Sequence, residues 1–344
     1  MELGRCDSST IIFPLLVMQQ ILNPYLIFLL HVIISSSLTY WALWKRFSLD
    51  AANERSSHTG SIPSAGGVGI VVSIITGLVY LMPNYWPLII GLVIIAGVSV
   101  VDDIRSSSKR LRISFQFAAA LLIASFAEPL LDKSTVVWLH TLVAIVWMVG
   151  LSNAFNFMDG LDGFAGSTAL IASVFLAIIG NILQFDSAFW LGTVMAASNI
   201  GFLIFNWPPA KVFMGDVGSA SLGFIFAATA VLFVPTMPWW VIPMLLLHFI
   251  IDTSFTMIRR LLAGENITQA HRSHIYQLLN RSGWSHTQLS MLTIMLSILQ
   301  GAAAVIILLL EQTQQMVVLA SFVLVYLITA FFVFNGAKRR GLLD

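Results

Sequence analysis

Two polar segments set between long apolar stretches hold three carboxylates and two amides: Asn153-Ala-Phe-Asn156-Phe-Met-Asp159-Gly-Leu-Asp162-Gly and Phe213-Met-Gly-Asp216-Val-Gly-Ser219. Ionisable groups that close to hydrocarbon cost about 2.5–3.5 kcal/mol each on insertion scales, so a chain that keeps several together has a use for them. Carboxylate oxygens alternating with glycine suit a hard divalent cation that carries phosphates. The chemistry indicated is phosphate chemistry at a membrane surface.

Asn153, Asn156, Asp159 and Asp162 recur every three residues, so a continued helix would stack them as one polar stripe, with Gly160 and Gly163 loosening it or admitting a ligand to the backbone. A polar seam between helices is the plain alternative, but seams favour Ser, Thr and Asn over paired aspartates. Asp216 follows the Pro208-Pro209 break and sits where a helix starts. It is either a simple cap or, with Gly215 and Gly218 as a backbone nest, the holder of a phosphate-bound cation. Asp102-Asp103 closes another apolar stretch; adjacent helical residues point about 100° apart, so only one of the two need be chemical.

Three further segments carry donors. His271-Arg272-Ser-His274-Ile-Tyr276-Gln277 lies in a long polar stretch with too few extra ligands for zinc, but Arg272 with His274 suits a diphosphate. Arg259 and Arg260 nearby could face anionic headgroups. Arg55-Ser-Ser-His58 reads as loop punctuation or as phosphate donors. His31, His140 and His248 read as interhelical hydrogen-bonders, which leaves Asp252 as the one other intramembrane group to carry forward.

The elements that position these groups follow from composition. Of the 344 residues 58% are hydrophobic and 10% charged, against roughly 25% charge in a soluble globule. Continuous apolar runs such as 26–44, 70–81, 88–101 and 292–310 exclude a barrel, whose strands alternate with period two. The fold expected is all-α and polytopic, with about eleven spans near 22–44, 66–82, 86–101, 113–127, 136–151, 163–181, 187–205, 217–235, 239–257, 289–310 and 316–335. Threading them alternately puts all but Arg5 and Lys133 of the 17 basic residues on one side. The positive-inside rule makes that side the cytoplasm, with a periplasmic N-terminus and a cytoplasmic C-terminus. The same threading gathers every polar segment above on the cytoplasmic face. Residues 1–21 read as a tail without a signal-peptide cleavage pattern and 336–344 as a basic tail. Residues 22–335 read as a single catalytic domain with cytoplasmic loops at 45–66, 102–112, 152–162, 206–216 and 258–288. The lone Cys6 excludes an intramolecular disulfide, and a net charge of +1 gives no reason to expect nucleic acid.

In order along the chain, Asp102-Asp103, Asn153-x-x-Asn156-x-x-Asp159-Gly-Leu-Asp162-Gly, Val212-Phe-Met-Gly-Asp216-Val-Gly-Ser219 and Arg272-x-His274-Ile resemble the polyprenyl-phosphate N-acetylhexosamine-1-phosphate transferases. The resemblance implies transfer of a sugar 1-phosphate from a UDP-N-acetylhexosamine to undecaprenyl phosphate with release of UMP, using Mg²⁺ or Mn²⁺, in the bacterial inner membrane. It implies a metal centre of Asp216 with Asn156 and Asp159, and a catalytic set of Asp102, Asp103, Asp159 and Asp216. Phe213 would stack on uracil, Asp162 and Asn153 would serve the nucleotide side, and Arg272 and His274, with Arg55 and His58, would hold phosphates. Some relatives suggest a homodimer. Tyr276-Gln277 stands where many members have further histidines, a form that resembles the branch initiating O-antigen synthesis with a deoxygenated N-acetylhexosamine. Transferases for UDP-GlcNAc or UDP-MurNAc-pentapeptide are the alternatives within the family. A cation-coupled transporter is the alternative outside it, though transport sites lie near the midplane rather than at one face.

Overall fold

The computed structural model describes residues 23–46, 49–51, 61–105, 108–128, 137–266, 269 and 271–343; the tail 1–21, Arg55, His58 and Lys133 lie outside them. Helix α1 (Pro24–Lys45) shows how the sequence sets a span. The Asn23 side chain accepts from Tyr25 N–H at 2.9 Å, Pro24 occupies the first turn, and Arg46 ends the helix in a left-handed conformation. At 1.5 Å per residue, its 22 residues reach about 33 Å, enough for a hydrocarbon core. Exposed Tyr25 at one end and Tyr40, Trp41 and Trp44 at the other mark the two interfaces.

The other helices follow as α2 (Gly67–Leu81), α3 (Trp86–Arg105), α4 (Lys109–Phe126), α5 (Val137–Phe157), α6 (Phe164–Ile182), α7 (Asp186–Asn206), α8 (Gly215–Leu232), α9 (Val241–Leu245), α10 (Leu247–Leu262), α11 (Ile275–Arg281), α12 (His286–Ile307) and α13 (Gln312–Arg339). Each expected apolar stretch carries helix. Among the described residues eight helices are long and apolar enough to cross a membrane, while α2 is apolar but shorter. The chain is thus an all-α, multi-pass membrane protein. The stretch 239–257 is two helices rather than one span: the short α9, which contains Pro243, meets α10 at Leu246. Just past this joint, buried His248 hydrogen-bonds to Thr168 of α6 and to Thr293 and Gln300 of α12. A short antiparallel pair, β1 (Leu49–Ala51) with β2 (Ser61–Pro63), is the only strand pairing among the described residues.

At the centre stands α8, 83% of whose spanning window is buried, against 6% for the peripheral α13. Its small residues, Gly218, Ala220, Gly223, Ala227 and Ala228 among them, let α5, α3 and α2 approach closely. The start of α8 is fastened by a backbone ladder: Phe213 N–H donates to Pro63 O at 2.7 Å, Gly66 N–H to Phe213 O at 2.9 Å and Gly67 N–H to Met214 O at 2.9 Å. Gly215 follows at φ +69°, where a methyl group would also run into the Ser64 carbonyl oxygen. Hence α3 ends, α4 begins, α5 ends and α8 begins at one pole of the bundle.

Candidate functional site

Four helix termini bring the acids together at that pole. Asp102, in the last turn of α3, accepts from Arg112 Nη1–H at 2.8 Å, and the same nitrogen donates to Asp216 Oδ2. The other Asp216 oxygen, Oδ1, accepts from Asn156 Nδ2–H at 2.8 Å, and Asn156 Nδ2 also donates to Ser219 Oγ at 2.9 Å. Asp103 accepts from the main-chain N–H of Asp216, with Oδ2 beside Gly215. The side chains of Arg112, Asp102 and Asp216 are 25%, 16% and 29% exposed, so they are reachable from water yet screened less than surface charges.

The expected polar stripe is cut. Helix α5 stops at Phe157, leaving Asn153 and Asn156 in its last turns and Asp159 and Asp162 in the connecting turn before α6. Gly160 permits this turn, since the Tyr276 hydroxyl lies where a side chain would project, and Gly163 at φ +71° starts the next helix. Burial, and then the carboxylates of Asp216 and Asp162, push the Asp159 carboxyl well above the usual range. Asp162 acts as a clamp: Oδ2 accepts from Ala210 N–H at 3.1 Å and faces His286 Nδ1 at 3.3 Å, while its carbonyl accepts from Ser290 Oγ at 2.6 Å. Asn153 donates to Gln116 of α4 at 2.7 Å and to Val149 O at 2.7 Å, so its amide ties α5 to α4.

The donor-rich pole is better packed than its loop-like sequence suggests. His274 is buried and caps α11, its ring among those of Phe157, His271 and Tyr276. Arg259 Nη2 donates to Ser273 Oγ at 2.9 Å, and Arg281 Nη1 donates to Arg272 O at 3.3 Å. Burial, followed by His274, Arg260 and Arg259, lowers the His271 imidazole to about 4. Phe213, itself the backbone partner of β2, is partly exposed and lies three residues before Asp216.

The structure therefore unites Asp102, Asp103, Asn156 and Asp216, sets Asp159 within electrostatic reach of Asp216, and turns Asp162 and Asn153 toward structural partners. Sequence reasoning passed over Arg112, Gln116 and His286 as site residues and took Ser219 and Tyr276 only as parts of motifs. Arg112 reads as one more basic residue beside a membrane span. The signal was Gln116, one helical turn later on the same face and buried at the start of the helix's apolar part. Among the described residues no three His, Cys or acidic side chains form a ready metal cage. The oxygen donors of Asp216, Asp159 and Asn156 nevertheless suit a magnesium-sized cation, which takes one or two carboxylates and completes its shell with water and substrate phosphate. One cation, the Arg112 guanidinium, already bridges Asp102 and Asp216 there.

Residues 85–234 match the model of glycosyl transferase family 4, a stretch holding Asp102 through Ser219 but not Arg272 or His274. A probable undecaprenyl-phosphate N-acetylglucosaminyl 1-phosphate transferase of Bacillus subtilis (strain 168) is 30% identical over 299 residues, covering 81% of this chain and 82% of that protein. The phospho-N-acetylmuramoyl-pentapeptide-transferase of Wolbachia sp. subsp. Drosophila simulans (strain wRi) is 29% identical over 267 residues, covering 70% and 82%. The enzyme of that same name from Staphylococcus haemolyticus (strain JCSC1435) is 27% identical over 270 residues, covering 70% and 83%.

Proposed function

The chain belongs to glycosyl transferase family 4, and from that premise we propose that it transfers an N-acetylhexosamine 1-phosphate from a UDP-sugar to undecaprenyl phosphate, releasing UMP. The observation that carries this reading is the meeting of Asp102, Asp103, Asn156 and Asp216 around Arg112 at one end of the bundle. A soluble nucleotide and a lipid acceptor each reach such a site from their own phase. The positive-inside argument makes that end the cytoplasmic face of the bacterial inner membrane.

Asp216, with Asn156 and Asp159, would hold Mg²⁺ or Mn²⁺, which when bound neutralises the diphosphate as charge builds on departing UMP. Arg112 lies where it can offset charge on the transferred phosphoryl group. Asp102, on that guanidinium, or Asp103, against the main chain of Gly215 and Asp216, would orient the acceptor phosphate or take its proton. A phosphate monoester is already a competent nucleophile at neutral pH, which favours a single in-line displacement. Phe213 offers a ring for uracil, the Asp162 clamp holds the turn beneath the nucleotide, and Arg272 with His274 serves the diphosphate. The finer reading is a deoxygenated N-acetylhexosamine donor and the first membrane step of O-antigen and lipopolysaccharide synthesis, supported by the Tyr276-Gln277 form of the basic segment.

Membranes containing the chain, incubated with undecaprenyl phosphate and a panel of UDP-sugars, should yield a diphosphate-linked lipid detectable by mass spectrometry. No such product with any donor overturns the reading. A product from UDP-GlcNAc or UDP-MurNAc-pentapeptide alone overturns only the deoxy-sugar part.

A further inference from the structure

Asp252 lies on α10, buried, and belongs to none of the roles above. Its two oxygens gather donors from a different element: Ile275 N–H at 2.9 Å and His274 Nδ1–H at 3.1 Å on Oδ1, and Tyr276 N–H at 3.0 Å on Oδ2. Thr256 Oγ1 adds a hydrogen bond within α10 at 3.3 Å. Leaving a carboxylate in such a place is tolerable only because its lone pairs are met by donors, two of them the otherwise unmade N–H groups at the start of α11.

We propose that Asp252 is a positioning residue that seats α11 and fixes the orientation of His274, and through it the basic pole of the active site. A carboxylate only accepts, so His274 must carry its proton on Nδ1, leaving Nε2 as the nitrogen it presents elsewhere. The arrangement reaches the acid pole by a second route. Tyr276, anchored to Asp252 through its main chain, donates its hydroxyl to Phe157 O at 2.9 Å and stacks on Phe164 with ring centroids 5.0 Å apart. Phe157 and Phe164 bound the turn that carries Asp159 and Asp162. One buried carboxylate thus sets the spacing between the basic segment and the acids of the α5–α6 turn and of α8.

Asparagine cannot replace it, because one amide oxygen cannot serve both faces and the amide N–H₂ would confront a main-chain donor. This inference rests on the transferase reading for its kinetic arm but not for its structural arm. In the purified full-length chain, Asp252→Asn should leave the thermal unfolding of the bundle within a few degrees of wild type. Hydrogen exchange should speed up at least tenfold in the peptide covering residues 274–281. In turnover assays kcat/KM should fall on the order of 10²-fold, and the fall should shrink at least tenfold when Asp252→Asn is made in a His274→Ala background. Unchanged exchange at Ile275 and Tyr276, or an undiminished kinetic loss in that background, overturns the proposal. Should the wild-type chain turn over no UDP-sugar, the transferase reading fails and the exchange result alone decides the role of Asp252.

Discussion

Asp216 and Asp252 are two carboxylates at the same pole with partners of different kinds. Asp216 meets side chains, the guanidinium of Arg112 from α4 and the amide of Asn156 from α5, and is partly open to water. Asp252 meets main-chain N–H groups of α11 and the His274 ring, and is buried. Side-chain partners can be exchanged for a cation or a phosphate without unmaking secondary structure; main-chain partners cannot. The first carboxylate therefore fits the chemical role proposed for it, and the second fits the role of holding elements apart at a set distance.

That contrast is sharpest in its largest consequence. Asp216→Asn should cost turnover on the order of 10³-fold with little change in thermal unfolding; near-normal activity in lipid-product assays would remove Asp216 from the reaction. Arg112→Met should lower kcat about 10²-fold, and Arg112→Lys should recover most of it, since a single nitrogen bridges both acids. Equal loss in both variants would mean that the guanidinium plane, not its charge, is used. Asp162→Asn can keep an oxygen for both Ala210 N–H and His286 but removes the carboxylate charge, so a loss near tenfold, about 1.4 kcal/mol, is expected. A loss as great as that of Asp216→Asn would move Asp162 from clamp to chemistry. Tyr276→Phe removes one hydroxyl bond to Phe157 O and should cost about 1 kcal/mol of stability by chemical unfolding, with a few-fold fall in activity.

The smallest effect is a pH dependence. His271 titrates near 4 when folded and near 6.5 when unfolded, so its contribution is complete above the unfolded value and is lost as pH falls from there toward 4. Its charged surroundings are His274, Arg260, Arg259 and Asp252. Acid-induced loosening of the basic segment, followed by hydrogen exchange between pH 7 and pH 5, should be weaker in His271→Gln than in wild type. The same loosening in both would assign it to another group.

Much of this was readable from residues in order. Apolar stretches of the right length became helices, and every acid singled out in the two polar segments lies at or next to a helix end. What escaped depends on contacts between distant stretches. Gly160 and Gly163 signal that the stripe could loosen but not that α5 stops at Phe157, because the three-residue spacing of Asn153 through Asp162 is good helical periodicity until Tyr276, more than a hundred residues later, packs under Gly160. Arg112 looks like an interfacial charge until α4 lies against the start of α8. The break at Leu246 was hidden for a related reason, since an apolar run reads alike whether one helix or two carry it. Asp252 stood out only as an acid in an apolar span; its partners come from a segment that composition describes as loop.

The backbone ladder beside β2 carries one more implication. Phe213 is held by its own N–H and C=O to Pro63 and Gly66, so its address in space is written in main chain rather than in the shape of its ring. Evolution can therefore retune the surface at this perch, the one proposed to face a nucleobase, by exchanging one aromatic for another, while the neighbouring acids stay where they are.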